Sequence, residues 1–517
     1  MIVLLASIAS GCGSKPTDPR TVIPADALVY LESADLGKTV GAMTNNPKFA
    51  ALAKQKPDLS VLSGVKIGIA VTGFEAWEEP VTEENAVIDL QPRFVAVIET
   101  NAWGWQAKSF VENNVGEFFN NLLGGAVDLE ITTRKDSEYY VWTSPEGRKA
   151  YALQQGSLVY FGNDESAIER CQAVKRGETD SFAKMGKVPD AERIAFGYVS
   201  PEGVGQIGNI VSILLAKSTG EEADVQSFVA QVLPEILRNT VREVTWSASE
   251  SEGRIEDKLT FKLDDESSRV FNETMAPANS AATGLEGYLP DSAASVTRYL
   301  SRDPQVAWRS VVLTAQKKAD ATSGVLIGAF SGSLFEQYGI EDPEAFLTSV
   351  APRLLTVRLS EDPDQVAVIA TAKNLLTVNG AIAKEVPLTA PPEKQFGADL
   401  WKSGDGEFAA AFIGDVVVVG ETNTVIKCLE AKQTQAGNPT QTYSQRELLS
   451  SDAVATTVGS ENSKLRLVDA LAERKNPNDI VGLEYKIETR FNLNGIERRT
   501  VSDFGLIGSI IEGLLPE

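Results

Sequence analysis

The chain contains no histidine and only three cysteines among its 517 residues. Histidine is the usual general base near neutral pH and the commonest ligand of transition metals. Its absence excludes Ser-His-Asp and Cys-His catalysis, as well as histidine-based zinc or iron sites. Three cysteines are too few for a disulfide scaffold. The sequence therefore favours a non-enzymatic protein without cofactors, and it predicts no catalytic, cofactor-binding or metal-ligating residue.

Basic residues are also scarce relative to acidic ones. The chain has 48 lysines and arginines against 71 aspartates and glutamates, which gives a formal charge of −23. That field repels phosphate backbones, so nucleic acid is excluded as an expected partner. The 43% hydrophobic content is ordinary for a globular protein. A chain of this length accommodates two to four domains.

The only segment that resembles a targeting signal is the N-terminal stretch "MIVLLASIASGCGSKPTDPR". A short apolar run is followed by Ala9, Ser10 and Gly11, and then by Cys12. This pattern resembles the bacterial lipobox, in which the cysteine is acylated and becomes the first residue of the mature chain. Ala9 stands where leucine is usual, and no basic residue precedes the run. The alternative is an N-terminus that carries no targeting signal and whose cysteine is buried.

The lipobox interpretation divides the N-terminus into two parts. Residues 1–11 are predicted to be a lipoprotein signal peptide, because a 7–15-residue apolar stretch ending in small residues is typical of a secretory signal. Residues 12–21 are predicted to be a flexible tether, with lipidation at Cys12. Acyl chains hold a soluble domain on a bilayer without a spanning helix, and no later segment of the chain is apolar for the ~20 residues that a spanning helix needs.

One strand-turn-helix pattern occurs twice in the sequence. "SLVYFGNDESAIERCQAVKRGE" (157–178) corresponds to "DVVVVGETNTVIKCLEAKQ" (415–433), and each predicts a strand, a glycine and a helix that begins with acidic or amide residues. Two further pairs recur in the same order, 193–215 with 453–473 and 243–263 with 482–501.

A repeat of about 240 residues is the size of a domain rather than of a solenoid unit. The sequence therefore predicts an α+β fold of two tandem related domains, each a mostly antiparallel sheet with helices packed on one face. The first copy is placed at 22–263, the linker at 264–284 and the second copy at 285–517. A continuous sheet shared by both copies stays open as an alternative.

Three stretches carry a family resemblance: "IPADALVYLESADLGKTV" (23–40), "VKIGIAVTGFE" (65–75) and the repeated unit at 157–178. They resemble an uncharacterised family of bacterial secreted and lipid-anchored proteins with a domain of unknown function. The resemblance implies an extracytoplasmic location. It carries no known activity or site, so no functional residue is transferred from it.

Two enzyme-like motifs are rejected as coincidences. "GVGQIG" (203–208) matches a dinucleotide fingerprint, but Glu202 adds negative charge beside it and no second strand with a terminal acid follows. The pieces of a penicillin-recognising serine enzyme, "SFAK" (181–184), "KSG" (402–404) and "SEN" (460–462), occur in the wrong order.

Three other features have structural interpretations. Cys171 and Cys428 lie in the two matching predicted helices and are expected to be buried thiols. The apolar residues of 504–517 recur at helical spacing, which predicts a helix that packs back on the second domain. The alternative is an exposed amphipathic face for a partner or a membrane.

The acidic stretch 74–85 is predicted to be a loop between strands. Its spacing does not match a calcium loop. It contains Trp77, Glu78 and Glu79, which are the predicted contact surface.

The sequence therefore predicts a lipid-anchored, extracytoplasmic protein of the cell envelope, at the outer membrane or on the periplasmic face. Its expected role is binding or structural, with the membrane and other envelope proteins as partners. One alternative is a carrier that holds a small apolar ligand or lipid between sheet and helices. A second is a histidine-independent envelope hydrolase, which would need paired carboxylates in a cleft of one copy.

Overall fold

The computed structural model of the chain divides into two compact units. Among the described residues, unit 1 comprises 17–41 and 58–200, and unit 2 comprises 42–57 and 201–513. Cys12 lies outside the described residues. The structure describes residues 17–80, 86–123, 125, 127–134, 137–187, 193–218, 223–278, 284–437, 447–448, 451–476 and 478–513.

The sheet of unit 1 has the strand order β4-β5-β6-β7-β3-β2-β1-β8, and every described ladder in it is antiparallel. Its strands are β1 (Val29–Ser33), β2 (Lys66–Pro80), β3 (Ala86–Glu99), β4 (Asp128–Arg134), β5 (Ser137–Thr143), β6 (Lys149–Gln155), β7 (Leu158–Gly162) and β8 (Ala195–Val199).

The sheet of unit 2 has the strand order β14-β15-β16-β17-β13-β12-β11-β18-β19-β20-β10-β9, again antiparallel throughout its described ladders. Its strands are β9 (Val241–Ser251), β10 (Arg254–Leu263), β11 (Ser295–Leu300), β12 (Val350–Arg358), β13 (Val366–Ala372), β14 (Glu393–Gln395), β15 (Ala398–Lys402), β16 (Phe408–Ile413), β17 (Val416–Glu421), β18 (Ala455–Ser463), β19 (Val481–Asn492) and β20 (Gly495–Ser502).

Helices connect many of these strands. They are α1 (Leu36–Thr44), α2 (Pro47–Leu52), α3 (Gly104–Phe110), α4 (Gly116–Leu122), α5 (Glu165–Lys175), α6 (Pro201–Ser218), α7 (Ala223–Thr240), α8 (Asp265–Thr274), α9 (Pro304–Lys318), α10 (Ala321–Phe330), α11 (Pro343–Ser349), α12 (Leu375–Ala381), α13 (Thr422–Gly437), α14 (Leu467–Leu471) and α15 (Gly505–Gly513).

The predicted α+β class with antiparallel pairing is confirmed by these elements, whereas its division into two tandem related domains stays a prediction. The predicted linker 264–284 contains a helix, α8, whose N-terminus is capped by the Asp264 carboxylate at 3.3 Å from the Ser267 backbone nitrogen. Phe271 of this helix packs against Phe491 of β19, with ring centroids 5.8 Å apart. The small polar residues of this segment therefore do not prevent a packed helix.

The repeated glycine occupies the same structural position in each unit. Gly162 ends β7 opposite Val95 of β3, and Gly420 of β17 lies opposite Ala367 of β13. A Cβ atom at Gly162 would collide with the carbonyl oxygen of Phe94, and one at Gly420 would collide with that of Val366. Only glycine permits this close approach of the two strands.

The helix that follows each glycine covers the sheet and closes a core. Asp164 caps α5 by accepting a hydrogen bond from the Ser166 backbone nitrogen at 3.0 Å, and Ile168 and Cys171 of α5 are buried in the core of unit 1. Cys428 of α13 is buried in the corresponding core of unit 2. Both thiols are free, so the prediction of buried structural cysteines is confirmed.

Burial makes both thiols unreactive. It raises the pKa of the Cys171 thiol to about 12, and it also raises the pKa of the Cys428 thiol. Because the thiolate is the nucleophilic form, neither cysteine is suited to catalysis at neutral pH.

The C-terminal helix packs on the unit 2 sheet, in part on β9 and β10, which the sequence repeat places in the first copy rather than in the second. The Leu506 backbone nitrogen at the start of α15 donates to the Asp257 carboxylate of β10 at 2.8 Å. The same carboxylate accepts from the Trp246 indole nitrogen at 2.7 Å. Gly505 lies so close to Ile255 that a side chain there would clash with it. Asp257 therefore fixes the helix start to the sheet.

Within the described ranges, no helix combines the length and the apolarity that crossing a bilayer requires. The glycines of "GVGQIG" lie inside α6 rather than in a loop before a helix, so they cannot form the phosphate-binding turn of a dinucleotide site. This agrees with the rejection of that motif on sequence grounds.

The predicted loop over 74–85 is wrong for its first part. Residues 74–80 continue β2, and Trp77 pairs with Asp89 of β3. Backbone pairing continues through the acidic residues because a ladder is held by main-chain hydrogen bonds, whatever the side chains. Glu78 and Glu79 therefore lie on a strand, while the side chains of Trp77, Glu78 and Glu79 fall outside the described part of the structure.

Candidate binding groove

Strand β11 of unit 2 has one buried face and one open face. Side chains alternate along a strand, and the even-numbered residues Val296, Arg298 and Leu300 of β11 are buried. The odd-numbered residues Ser295 and Thr297 face the opposite side together with Tyr299. The open face therefore carries hydroxyl groups rather than aliphatic side chains.

A groove of about 400 Å³ runs over this open face. Its floor comes from β11 and β12, and its walls come from β18, β19, the 3-10 helix Ser333–Tyr338 and the turn after β12. The lining residues are Ala294, Ser295, Thr297, Tyr299, Tyr338, Thr356, Val357, Arg358, Ser360, Glu361, Val366, Ser460, Glu461 and Tyr485.

One wall of the groove depends on Gly459 of β18. Gly459 lies opposite both Ser295 of β11 and Tyr485 of β19. A Cβ atom there would lie 2.5 Å from the Tyr485 hydroxyl oxygen, so the tyrosine ring occupies the space that the glycine leaves. The ring thereby crosses β18, and its hydroxyl forms a hydrogen bond with Ser295.

The groove is lined by one cation, Arg358, by the carboxylates of Glu361 and Glu461, and by phenols that stay neutral. Burial, reinforced by the neighbouring Tyr299, raises the pKa of Tyr338 to about 12. Burial also raises the pKa of Tyr485. The guanidinium of Arg358 opposes both rises. At neutral pH the groove therefore offers neutral hydroxyl groups together with the Arg358 guanidinium and the side chains of Glu361 and Glu461.

The glycine positions allow the two sheets to be aligned residue by residue. Starting at Gly162, the paired residues lead from β7 across β3 and β2 to β1. Starting at Gly420, they lead in the same way from β17 across β13 and β12 to β11. This correspondence aligns Val29, Leu31, Ile69 and Val71 with Ser295, Thr297, Thr356 and Arg358, in that order.

The aligned face of unit 1 is thus aliphatic where that of unit 2 is polar. In one register, Val29 lies opposite Val71, whereas Ser295 lies opposite Arg358. A cross-strand valine pair is the usual way to stabilise a sheet face. The serine and arginine at the corresponding positions of unit 2 do not provide that packing.

The opposite, buried face of the same strands carries a row of polar residues. Arg298 of β11, Thr456 of β18, Glu488 of β19 and Arg499 of β20 lie in register across the sheet. The Arg298 guanidinium donates to the carbonyl oxygen of Ser451 at 2.8 Å and to the Thr456 hydroxyl at 3.2 Å. Each side chain of this row makes at least one hydrogen bond, although the Nε atoms of Arg298 and Arg499 have no partner within the described part of the chain. None of these residues lines the groove.

Glu488 is the centre of that row. Its carboxylate accepts a hydrogen bond from Arg490 at 2.8 Å and forms an ion pair with Lys486 at 3.1 Å. Burial tends to raise the pKa of Glu488, but hydrogen bonds from Arg490, Lys486 and Ser451 outweigh it and lower the pKa to about 2. Glu488 is therefore ionised wherever the protein is folded near neutral pH.

Buried carboxyl groups elsewhere also have structural partners. Burial raises the pKa of Glu32, but its carboxylate accepts a hydrogen bond from the Tyr30 hydroxyl at 2.6 Å. Burial likewise raises the pKa of Asp257, which holds Trp246 and the start of α15. Within the described ranges, no cluster of acidic and cysteine side chains could hold a metal ion.

The sequence did not single out the groove. Of the residues that it did single out, Cys12 lies outside the described part of the chain, and Trp77, Glu78 and Glu79 lie in β2 of unit 1. Tyr338 and Tyr485 come from segments almost 150 positions apart. The only local signal was the alternating hydroxyl residues Ser295 and Thr297, which align with the aliphatic Val29 and Leu31 of unit 1.

No protein-family model, curated protein or solved structure matches this chain. The function is therefore argued from the residues, the groove and the N-terminal pattern.

The lowered pKa of Glu488 implies that the stability of the folded protein depends on pH. Its pKa falls from 4.5 to about 2 on folding, so its stabilisation is complete above pH 4.5 and is lost as the pH falls from 4.5 towards 2. That stabilisation is about 2 kcal/mol after allowance for solvent screening. We expect Glu488→Gln to lower the free energy of unfolding by this amount at pH 6 and by less than half of it at pH 2.5, measured by urea titration.

The control is Glu497→Gln on the adjacent strand β20, where the carboxylate pairs with the partly exposed Lys258. This variant should change stability by less than 1 kcal/mol at both pH values. A Glu488→Gln deficit that stays constant between pH 6 and pH 2.5 would contradict the assignment.

Proposed function

We propose that the protein is a lipid-anchored, extracytoplasmic binding protein of the cell envelope, built from two tandem copies of one domain. In this proposal Cys12 carries the acyl anchor, and the second copy carries the binding surface. The role is non-enzymatic, and the groove over β11 and β12 is where the ligand sits.

Duplication is supported by topology. The order β4-β5-β6-β7-β3-β2-β1-β8 in unit 1 corresponds strand for strand to β14-β15-β16-β17-β13-β12-β11-β18 in unit 2. The two obligatory glycines, Gly162 and Gly420, fall at the same point of this order. Eight strands in one order, with a shared steric constraint, are hard to obtain from two unrelated domains.

The two compact units of the structure do not have the same boundaries as the two sequence copies. Strands β9 and β10 belong to the first sequence copy by the repeat, yet they pack within unit 2, where β10 pairs with β20. These strands are also the counterparts of β19 and β20 in the repeat. In the proposal, the terminal hairpins of the two copies therefore pair edge to edge, so that β10 and β20 protect each other as edge strands.

The observation that carries the binding role is the difference between the two aligned faces. A sheet that only had to be stable would keep Val29 and Val71 in both copies, because aliphatic cross-strand pairs stabilise a sheet. The second copy has Ser295 and Arg358 at these positions, at the floor of its groove. Polar groups that converge in a concave surface are typical of a ligand site.

The chemistry of the groove favours a hydroxyl-rich ligand of the envelope, such as a wall glycan. Tyr299, Tyr338 and Tyr485 supply flat, amphipathic surfaces together with hydrogen-bonding hydroxyl groups. Arg358 supplies five donors, which suit a carboxylate-bearing sugar. The lining is mainly polar, which does not suit an apolar ligand.

The two alternatives receive less support. A carrier of lipid needs an enclosed apolar cavity between sheet and helices, whereas the described cores there are filled by packed side chains. A hydrolase needs a buried carboxyl group as general acid. Glu361 and Glu461, the carboxylates that line the groove, are both exposed.

The anchor is tested at Cys12. We expect Cys12→Ser, or treatment with the lipoprotein signal peptidase inhibitor globomycin, to block cleavage after residue 11 and to change membrane fractionation. Intact-mass measurement of the purified chain should show diacylglycerol on Cys12. An unmodified Cys12 in the membrane-associated protein would contradict the proposal.

The groove is tested by co-sedimentation with purified wall sacculi. We expect the double variant Tyr299→Ala/Arg358→Gln to bind about tenfold more weakly than the wild type, because it removes one aromatic surface and the only guanidinium of the groove. Tyr299 is 41% exposed, so its truncation should leave the fold intact.

The matched control changes the same kinds of surface in unit 1. Arg93→Gln/Leu129→Ala removes one exposed arginine and one exposed apolar residue there, and it should bind sacculi as the wild type does. Equal loss in both double variants, or no loss in the groove variant, would reject the groove as the binding surface.

A further inference from the structure

Two tryptophans project from unit 1 into solvent. Trp103 is 76% exposed and Trp105 is 70% exposed, at the start of α3. The chain has seven tryptophans, and these two are the exposed ones among those whose side chains the structure describes. Exposing two of the largest apolar side chains to water has no stabilising effect on a folded domain.

A rigid support holds them there. The opposite face of the same helical segment is buried, with Ala107, Val111 and Phe119 in the core beneath it. The Trp103 backbone nitrogen donates to the Gln106 side-chain oxygen at 3.0 Å, which fixes the start of α3. The tryptophans therefore stand on a packed helix start rather than on a loose loop.

The N-terminal tether enters unit 1 beside them. Glu99, the last residue of β3, is buried, and its carboxylate accepts a hydrogen bond from the Thr17 backbone nitrogen at 3.0 Å. Its other oxygen accepts from the Asn101 backbone nitrogen at 3.0 Å. Glu99 therefore ties the end of the tether to the turn that leads into Trp103.

The length of the tether limits the distance between the body and its anchor. Thr17 is five residues from Cys12, and five residues span at most about 18 Å even when fully extended. Trp103 is four residues from Glu99, which corresponds to at most about 14 Å. Acyl chains on Cys12 therefore keep this side of unit 1 next to the membrane surface.

We propose that Trp103 and Trp105 insert into the interfacial layer of the bilayer that holds the acyl anchor. This inference rests on the proposed lipidation of Cys12. Tryptophan rings favour the headgroup level because one part of the ring is apolar and the indole nitrogen is polar. A diacylglycerol anchor already supplies two acyl chains, which hold the protein on the bilayer but leave its orientation free. A second, protein contact at the headgroup level would fix which side of unit 1 faces the membrane.

The test uses the full-length, acylated protein reconstituted in phosphatidylcholine/phosphatidylethanolamine vesicles, with or without bromine on the acyl chains. Bromine quenches tryptophan fluorescence only at short range. We expect brominated vesicles to quench the wild-type protein by up to about two sevenths of its emission, and to quench Trp103→Phe/Trp105→Phe little. The control variant Trp308→Phe/Trp401→Phe, which removes two partly buried tryptophans of unit 2, should keep the quenching.

Equal quenching of the wild type and of Trp103→Phe/Trp105→Phe would overturn the inference, as would no quenching of the wild type. The mass of the N-terminal peptide is measured on the same samples. Diacylglycerol on Cys12 without tryptophan quenching refutes the insertion alone and leaves the anchor intact. An unmodified Cys12 refutes the proposed anchor and, with it, the insertion.

Discussion

The close approach of two strands at a glycine fixes the geometry of each sheet. At Gly162 and at Gly420, the neighbouring strand lies so near that any side chain would collide with its carbonyl oxygen. From these points the pairing leads through three further strands, β3, β2 and β1 or β13, β12 and β11, with irregularities at Val71/Gly73 and between Val350 and Leu354. A one-residue slip would turn every side chain to the opposite face of the sheet. The glycines therefore decide which residues are buried and which can form a groove.

With the register fixed, the two faces of the sheet can evolve separately. On the buried face, polar groups need partners, and the Glu488 carboxylate and one guanidinium NH2 group of Arg298 have them in hydrogen bonds to side chains and to the main chain. The open face has no such requirement. It is aliphatic at Val29 in one unit and polar at Ser295 in the other. In the proposed function, this freedom let one copy keep a structural role while the other acquired a binding surface.

The repeated strand-turn-helix unit was predictable, because the glycine and the helix-capping residue Asp164 are local signals. The end of β2 was not predictable. Residues 74–80 look like an acidic loop, yet main-chain pairing with β3 extends the strand through them. The groove was not predictable either, since Tyr338 reaches it from a 3-10 helix and Tyr485 from a distant strand. The space left by Gly459 becomes visible only when three strands are aligned.

The proposed binding role is tested most directly by fluorine NMR of the full chain labelled with 3-fluorotyrosine, which has eleven tyrosines. Soluble wall glycan strands are added, and each resonance is assigned by a Tyr→Phe variant. The account predicts shifts for Tyr299, Tyr338 and Tyr485, with Tyr139 and Tyr151 of unit 1 unchanged. Saturating glycan that leaves the three groove resonances in place, or that shifts only those of unit 1, would contradict it.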